Sequence, residues 1–260
     1  GVPFDKIDVV HGDTDIVPTG VGTFGSRSLV IGGTSLLHAG SIIKEKAKKI
    51  AAALLETDPD RVVLEGGVWM VEDIQGKAVG WEEVAAEAYD GQKLPADVER
   101  GLEATYFWEP PNVTFPFAAN VCAVRVDKDT GFIKITKYVA VTDCGVVINP
   151  MLVDGQLHGG IAQGIGQALL EEAVYDDEGQ LLSGSFLDYA MPRAETFPNF
   201  DLGNTVTPTP HNPMGAKGVG EMGTVSATPT VVTAVVDALS PLGVTHIDIP
   251  LKPEKIWRIL

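Results

Sequence analysis

A chain of 260 residues with 45% hydrophobic content is long enough for one large or two smaller globular domains with a substantial core. Nineteen basic against 35 acidic residues give a net charge of −16, which excludes nucleic acid and anionic membranes as general partners. Two cysteines, Cys122 and Cys144, exclude an iron–sulfur site built by this chain and argue against a disulfide scaffold, which makes a reducing, cytoplasmic setting the expectation.

No uninterrupted apolar run approaches 18 residues and no leader pattern opens the chain, so no membrane span is expected. The start at Gly1, without a methionine, predicts a processed or truncated chain. Residues 7–11 (IDVVH) have strand character, ended by a Gly-Asp-Thr-Asp turn. Residues 22–28, GTFGSRS, bring two glycines, two capping hydroxyls and Arg27 to the start of a long helical pattern over 29–56. Such a junction is an anion-binding arrangement or, more simply, a capped helix with a solvated arginine.

Two short strands are predicted around Gly66-Gly67 and a helix over 81–89. The tract near 90–103 is polar and loop-like, the best candidate for a flexible excursion between two subdomains. A strand is expected over 104–108, then a hairpin of 117–127 and 132–142, in which Ile133 and Ile135 alternate with Phe132, Lys134 and Thr136.

The second hairpin strand ends in Thr142-Asp143-Cys144-Gly145. Cys144 could be a nucleophile, but with no histidine nearby in sequence a buried, inert thiol is the better reading. A helix is predicted over 151–172 with glycines at 155, 159, 160, 164 and 166. Each glycine costs about 1 kcal/mol in a helix interior, so a close neighbour or a ligand must compensate. Gln156, Gln163 and Gln167 fall near one face of it, offering amide donors and acceptors in a row. Strands are expected over 180–188, 200–207 and 246–249, and a closing helix over 253–260. The five histidines show no metal-ligand spacing, and no side-chain metal ligands are assigned.

Residues 207–224, TPTPHNPMGAKGVGEMGT, carry the densest information. Pro208, Pro210 and Pro213 hold the entry extended, four glycines let the following turn wrap closely, and one carboxylate, Glu221, sits within it. Thr224 reads as the N-cap of an apolar helix over 225–239, with Pro229 near its first turn. A surface turn with a charged tip is the simpler alternative.

The order and content of GTFGSRS, TDCG with the AQGIGQ helix, and GAKGVGEMG resemble the molybdenum hydroxylases, the family of xanthine dehydrogenase, aldehyde oxidase and aerobic carbon monoxide dehydrogenase. The resemblance covers the whole chain, and KGVGE before a small-residue helix is its most specific part. It implies an α+β fold with mixed sheets and packed helices, residues 1–260 being the C-terminal portion of a molybdopterin-binding domain in a large subunit. It implies Glu221 as general base; in the full-length enzyme, beside an anionic pterin and away from bulk water, its pKa is expected to be raised by burial and like charge. Gly22, Thr23, Phe24, Gly25, Ser26, Arg27 and Ser28 would hold the phosphates of a molybdopterin cytosine dinucleotide carrying molybdenum. Asp143, Cys144, Gln156 and Gln163 would lie near the pterin or dinucleotide, and Lys217, Gly218 and Gly220 would form the turn carrying the base. It further implies hydroxylation or oxidation of a small substrate (an aldehyde, an N-heterocycle or carbon monoxide) with oxygen from water, iron–sulfur and flavin subunits or domains as electron acceptors, and an oligomeric complex. The upstream part of the large subunit, which distinguishes substrates, would be required for activity, so the isolated stretch is expected to be inactive. A non-catalytic structural piece that binds no cofactor, and a family member recruited as a binding module, are the alternatives. In the catalytic reading the loop around Ser26 and Glu221 share one cleft.

Overall fold

A computed structural model describes residues 1–17 and 19–260 and shows an α+β protein of two compact units. The first comprises Gly1–Gly22 and Ile31–Glu109, the second Thr23–Val30 and Pro110–Leu260.

In the first unit, a five-residue π-helical turn (Leu29–Gly33, of which Ile31 onward belongs here) leads into α1 (Thr34–Leu54). Only the second half of α1 places apolar residues three and four apart on a buried face, through Ala47, Ile50 and Ala51. That face covers an antiparallel sheet of β1 (Val62–Glu65), β2 (Val68–Val71) and β3 (Ala78–Gly80), whose Trp69 is buried and meets Trp81 edge-on at 5.3 Å. α2 (Trp81–Asp90) starts where the Glu83 carboxylate accepts the Gly80 N–H at 2.8 Å and ends at Gly91 in a left-handed conformation. The tract after α2 is irregular, yet Val98 is buried, Leu94 and Leu102 pack on the same core, and the Gly101 N–H bonds the Ala88 carbonyl at 2.8 Å. It is thus tied to the first unit by apolar contacts that its polar composition concealed.

The second unit is built on a sheet ordered β4 (Phe117–Val126), β5 (Ile133–Asp143), β6 (Phe200–Asn204), with β4–β5 antiparallel and β5–β6 parallel. The alternation expected in β5 holds through Ile135 and then changes phase. Ala123 pairs with Lys137 and Val124 with Ile135, so Thr136 is the extra residue of a bulge, and its hydroxyl donates to the Ala123 carbonyl at 3.1 Å. Beyond the bulge Tyr138, Ala140 and Thr142 turn inward.

Against this sheet lie α3 (Pro150–Leu169), α4 (Met222–Leu239) and the short α5 (Pro253–Trp257). α3 is capped by Asn149, whose side chain accepts the Leu152 N–H at 3.3 Å, with Pro150 at its first position. Three of its glycines are accounted for by close neighbours. A Cβ on Gly160 would lie 2.9 Å from Gly223 Cα, one on Gly164 2.7 Å from Ala227 Cβ, and one on Gly166 2.4 Å from the Glu171 carboxylate. Gly155 and Gly159 have nothing within 4 Å of that position.

Several expectations fail. Residues 7–11, 104–108 and 246–249 form no strand, and 180–188 contributes only an isolated bridge between Tyr175 and Leu181. These segments have apolar side chains but no neighbouring strand to complete a ladder. α4 begins at Met222, so Thr224 lies within the first turn rather than capping it, and Pro229 sits well inside the helix. Among the described residues, Met222–Leu242 is long and apolar enough to cross a membrane by length and composition. Here the helix buries Ala227, Val231, Val235 and Leu239 in the core of its unit.

The contact between α3 and α4 predicts opposite results from two substitutions. Gly164→Val overpacks the interface and should lower stability by about 1–3 kcal/mol, whereas Gly155→Ala, on an open helix face, should raise it by up to about 1 kcal/mol. Equilibrium denaturant unfolding of the two variants against the parent checks both signs.

Candidate functional site

The site lies in the second unit, where three segments meet: the loop 23–28, the glutamine-bearing face of α3, and the turn from Lys217 to Glu221. The turn is held first. Its entry pairs with the end of β5 through an antiparallel bridge between Gly145 and Ala216, with Val146 N–H to the Gly215 carbonyl at 3.0 Å and Lys217 N–H to the Cys144 carbonyl at 2.7 Å. Gly145 has a φ of +71°, and a Cβ there would lie 2.2 Å from the Gly215 oxygen, so no other residue fits. Buried Asn212 donates to the Ala216 carbonyl at 2.8 Å and accepts the Ala216 N–H at 3.3 Å.

Beneath the turn, the Lys217 ammonium lies 3.1 Å from the Asp143 carboxylate, with both side chains buried. Asp143 also accepts the Gly145 N–H and the Thr205 hydroxyl, each at 3.0 Å. Burial pushes the Asp143 carboxyl up, but the Gly145 N–H, the hydroxyls of Thr207 and Thr205 and the Lys217 ammonium outweigh it, holding its pKa well below the usual 3.8. The Lys217 ammonium also stands 4.7 Å from the centre of the Phe117 ring. Asp143 and Lys217 are therefore tied to one another and to the surrounding protein.

Cys144 is buried, and burial pushes its thiol up, with the adjacent Asp143 carboxylate adding to the shift. It has the character of an inert core thiol rather than a nucleophile.

Glu221, in contrast, is exposed. It is the N-cap residue of α4 by position, yet its side chain makes no cap. Instead Ser26 Oγ donates to Glu221 Oε2 at 2.5 Å and accepts the Glu221 N–H at 2.9 Å. The expected meeting of Ser26 and Glu221 is thus a direct, reciprocal contact. Ser26 adopts a φ of +54°, and a Cβ on Gly218 would lie 2.5 Å from its carbonyl oxygen, so the loop and the turn interlock at backbone level. Within the loop, Thr23 and Ser28 share a 2.7 Å hydroxyl hydrogen bond, and the Arg27 guanidinium stacks 3.7 Å over the Phe24 ring. Gly25 supports the turn with a φ of +59°; Gly22 is exposed and belongs to the first unit.

On α3, Gln156 and Gln163 are exposed, and a Cβ on Gly220 would come within 3.5 Å of the Gln156 amide oxygen. Thr224 Oγ1 lies 3.0 Å from the Gly160 carbonyl and 2.9 Å from Gln163 Oε1; one turn on, Thr228 Oγ1 lies 3.1 Å from the Gly164 carbonyl and 2.9 Å from Gln167 Oε1. A threonine has one hydroxyl proton, and a backbone carbonyl can only accept it. Both rungs are satisfied when each threonine donates to the carbonyl and each glutamine turns its NH₂ to the threonine, which leaves the amide oxygen facing the open side. Sequence reasoning missed Thr205, Asn212, Thr224 and Thr228 as site residues. The four-residue spacing shared by Thr224/Thr228, Gly160/Gly164 and Gln163/Gln167 was a legible signal of two helices in register.

Residues 1–198 match the molybdopterin cofactor-binding domain family. The chain belongs to that family. This molybdopterin cofactor-binding domain is 40% identical over 260 residues to the carbon monoxide dehydrogenase large chain of Hydrogenophaga pseudoflava, and 40% identical over 259 residues to the nicotine 6-hydroxylase large subunit of Paenarthrobacter nicotinovorans. The alignments cover 100% and 99% of this chain but 32% of each relative, so the domain spans about a third of the length of the curated relatives it matches. Among solved structures it is similar to reconstituted carbon monoxide dehydrogenase from Oligotropha carboxidovorans, with a TM-score of 0.85 at 39% identity over 95% of this chain and 30% of that one. Quinoline 2-oxidoreductase from Pseudomonas putida 86 gives 0.83 at 39% identity over 92% of this chain and 30% of that chain.

The domain's buried ion pair predicts a specific acid sensitivity. A carboxylate whose folded pKa is depressed adds stability that is fully present above its unfolded value and is lost as pH falls through the folded one. Unfolding free energy of the parent should therefore drop between about pH 4 and lower values. In Asp143→Asn that part of the slope should vanish, against a baseline lowered by about 3–5 kcal/mol because Lys217 is left buried and unpaired. Denaturant midpoints measured across that range in both proteins test the sign.

Proposed function

We propose that this domain is the C-terminal, molybdenum-cofactor-binding part of the large subunit of an oxidoreductase that hydroxylates or oxidises a small substrate, with water as the oxygen source. The substrate is an aldehyde, an N-heterocycle or carbon monoxide. The observation that carries the reading is the exposed Glu221 carboxylate, fixed by Ser26 beside the glutamine face of α3.

The residues present fit such a cofactor. Gly155 and Gly159 have no protein atom where a side chain would stand, and they flank exposed Gln156 and Gln163. A helix gives up about 1 kcal/mol for each interior glycine, and α4 accounts for only some of those in α3. An open glycine surface edged by amides suits a flat, polar pterin laid along the helix. The hydroxyls of Thr23, Ser26 and Ser28, the loop N–H groups and Arg27 suit the phosphates, in the cytosine dinucleotide form of the cofactor.

When bound, the cofactor supplies the redox chemistry. The protein's contribution is to position and to move a proton. Gln156 and Gln163 would orient the pterin through their amides, Ser26 holds the Glu221 carboxylate, and that carboxylate would accept the proton given up by the water-derived oxygen as it bonds to the substrate, the electrons released passing to the cofactor. Electrons then leave through iron–sulfur and flavin partners, since two separated cysteines give this chain no cluster of its own.

Glu221→Gln keeps the shape of the side chain and removes its ability to take the proton. In the full-length enzyme it should leave molybdenum content near that of the parent and lower kcat by about 10²–10⁴. Turnover per bound molybdenum at saturating substrate is the deciding measurement; a Gln variant retaining more than about a tenth of parental turnover makes Glu221 a structural acid only.

A further inference from the structure

The Asp143–Lys217 pair is the most deeply buried charged feature of the second unit, and the proton-transfer reading makes no use of it. It joins the last residue of β5 to the residue four positions before Glu221. A buried ion pair contributes little to stability compared with well-packed apolar residues, but it resists separation strongly because each partner alone would be an uncompensated charge. Its physical consequence is therefore geometric. The turn cannot shift along β5 without unpairing Lys217 from Asp143, and the carboxylate cannot rotate to follow because the Gly145 N–H and the Thr205 hydroxyl hold its other lone pairs.

From Lys217 the constraint runs a short way. Gly218 packs on the Ser26 backbone with no room for a Cβ, and Glu221 is held through its own N–H and its carboxylate by Ser26 Oγ. The turn is thus pinned at both ends, by an ion pair at Lys217 and by a serine at Glu221. The pairing also leaves the base free of a nearby unpaired cation, since the Lys217 charge is matched by Asp143.

We propose that Asp143 and Lys217 are positioning residues that act through the 217–221 turn to hold Glu221 in place for proton transfer, and that neither touches cofactor or substrate. This rests on Glu221 being the base, so the test separates the two. In the full-length enzyme, the neutral double variant Asp143→Asn/Lys217→Met removes the ion pair without leaving a buried charge. Amide hydrogen exchange, followed by mass spectrometry on peptides covering 216–222 and on α3 peptides as a control, reads the pinning directly; kcat, KM and molybdenum content read its effect.

The expected result is exchange at least about tenfold faster in the turn with α3 unchanged, and kcat lowered about tenfold or more with KM and molybdenum content near parental. Should the double variant fail to fold, Thr205→Val removes one hydrogen bond to Asp143 while keeping the pair, and smaller changes in the same two readouts are expected. Unchanged exchange in the turn overturns the inference, and so does faster exchange with parental kcat while Glu221→Gln is inactive; the base assignment stands in the latter case. Loss of molybdenum content with exchange unchanged overturns it in favour of direct cofactor contact. A fully active Glu221→Gln sinks the base assignment and, with it, the positioning role.

Discussion

The site depends on how closely α4 approaches α3. Gly160 and Gly223 face each other across the interface, and Gly164 faces the Ala227 methyl, so the two helices approach nearly to backbone contact at the end where the site is built. That closeness lets the hydroxyls of Thr224 and Thr228 reach the carbonyls of Gly160 and Gly164, bonds unavailable at ordinary helix separations. It also sets Glu221, one residue before α4, alongside the exposed glutamines of α3. Farther along, Ile161, Ile165, Val231 and Val235 replace backbone contact with apolar packing against β5, which fixes both helices to the sheet. The cost of glycine in α3 is thereby exchanged for a defined distance between a carboxylate and a row of amides.

The electrostatic design follows from the same geometry. A protein of net charge −16 that is to hold an anionic group needs donors that do not rely on its overall field. Lys217 is the basic residue nearest Glu221 in sequence, and Asp143 has claimed it. What remains around the 23–28 loop are hydroxyls, backbone N–H groups and Arg27, whose guanidinium is held over the Phe24 ring. Pre-oriented dipoles lose little entropy on binding, which compensates for the adverse net charge.

Much of the fold was legible wherever local pattern and long-range pairing agree. The β4–β5 hairpin, the β1–β2 pair, α2 and α3 follow from alternation, turn chemistry and caps that lie within a few residues of one another. Segments 7–11, 104–108 and 246–249 were misread because an apolar run says nothing about whether a partner strand exists. The phase change at Thr136 and the parallel pairing of β6 with β5 are also non-local, decided by neighbours distant in the chain. At the site, residue types pointed to the right segments, but not to what each side chain does. KGVGE reads as one functional string, whereas the structure divides it between a lysine turned inward and a glutamate turned outward. Likewise Thr224 reads as a helix cap from its neighbours alone, and only the approach of α3 gives its hydroxyl better acceptors sideways.

That division gives a rule for sorting the remaining candidates. Asp143, Thr205, Asn212 and Lys217 are hydrogen-bonded to one another and to backbone, which suits them to fixing geometry. Gln156, Gln163, Arg27 and Glu221 keep exposed or half-exposed polar atoms with capacity to spare. Unsatisfied capacity at the surface costs nothing while water fills it, and becomes binding energy when an oriented ligand replaces that water. Under the proposed function, chemistry would belong to the second group and rigidity to the first. Ser26 is the point where they join, since one hydroxyl both anchors the turn through the Glu221 N–H and touches the carboxylate that would take the proton.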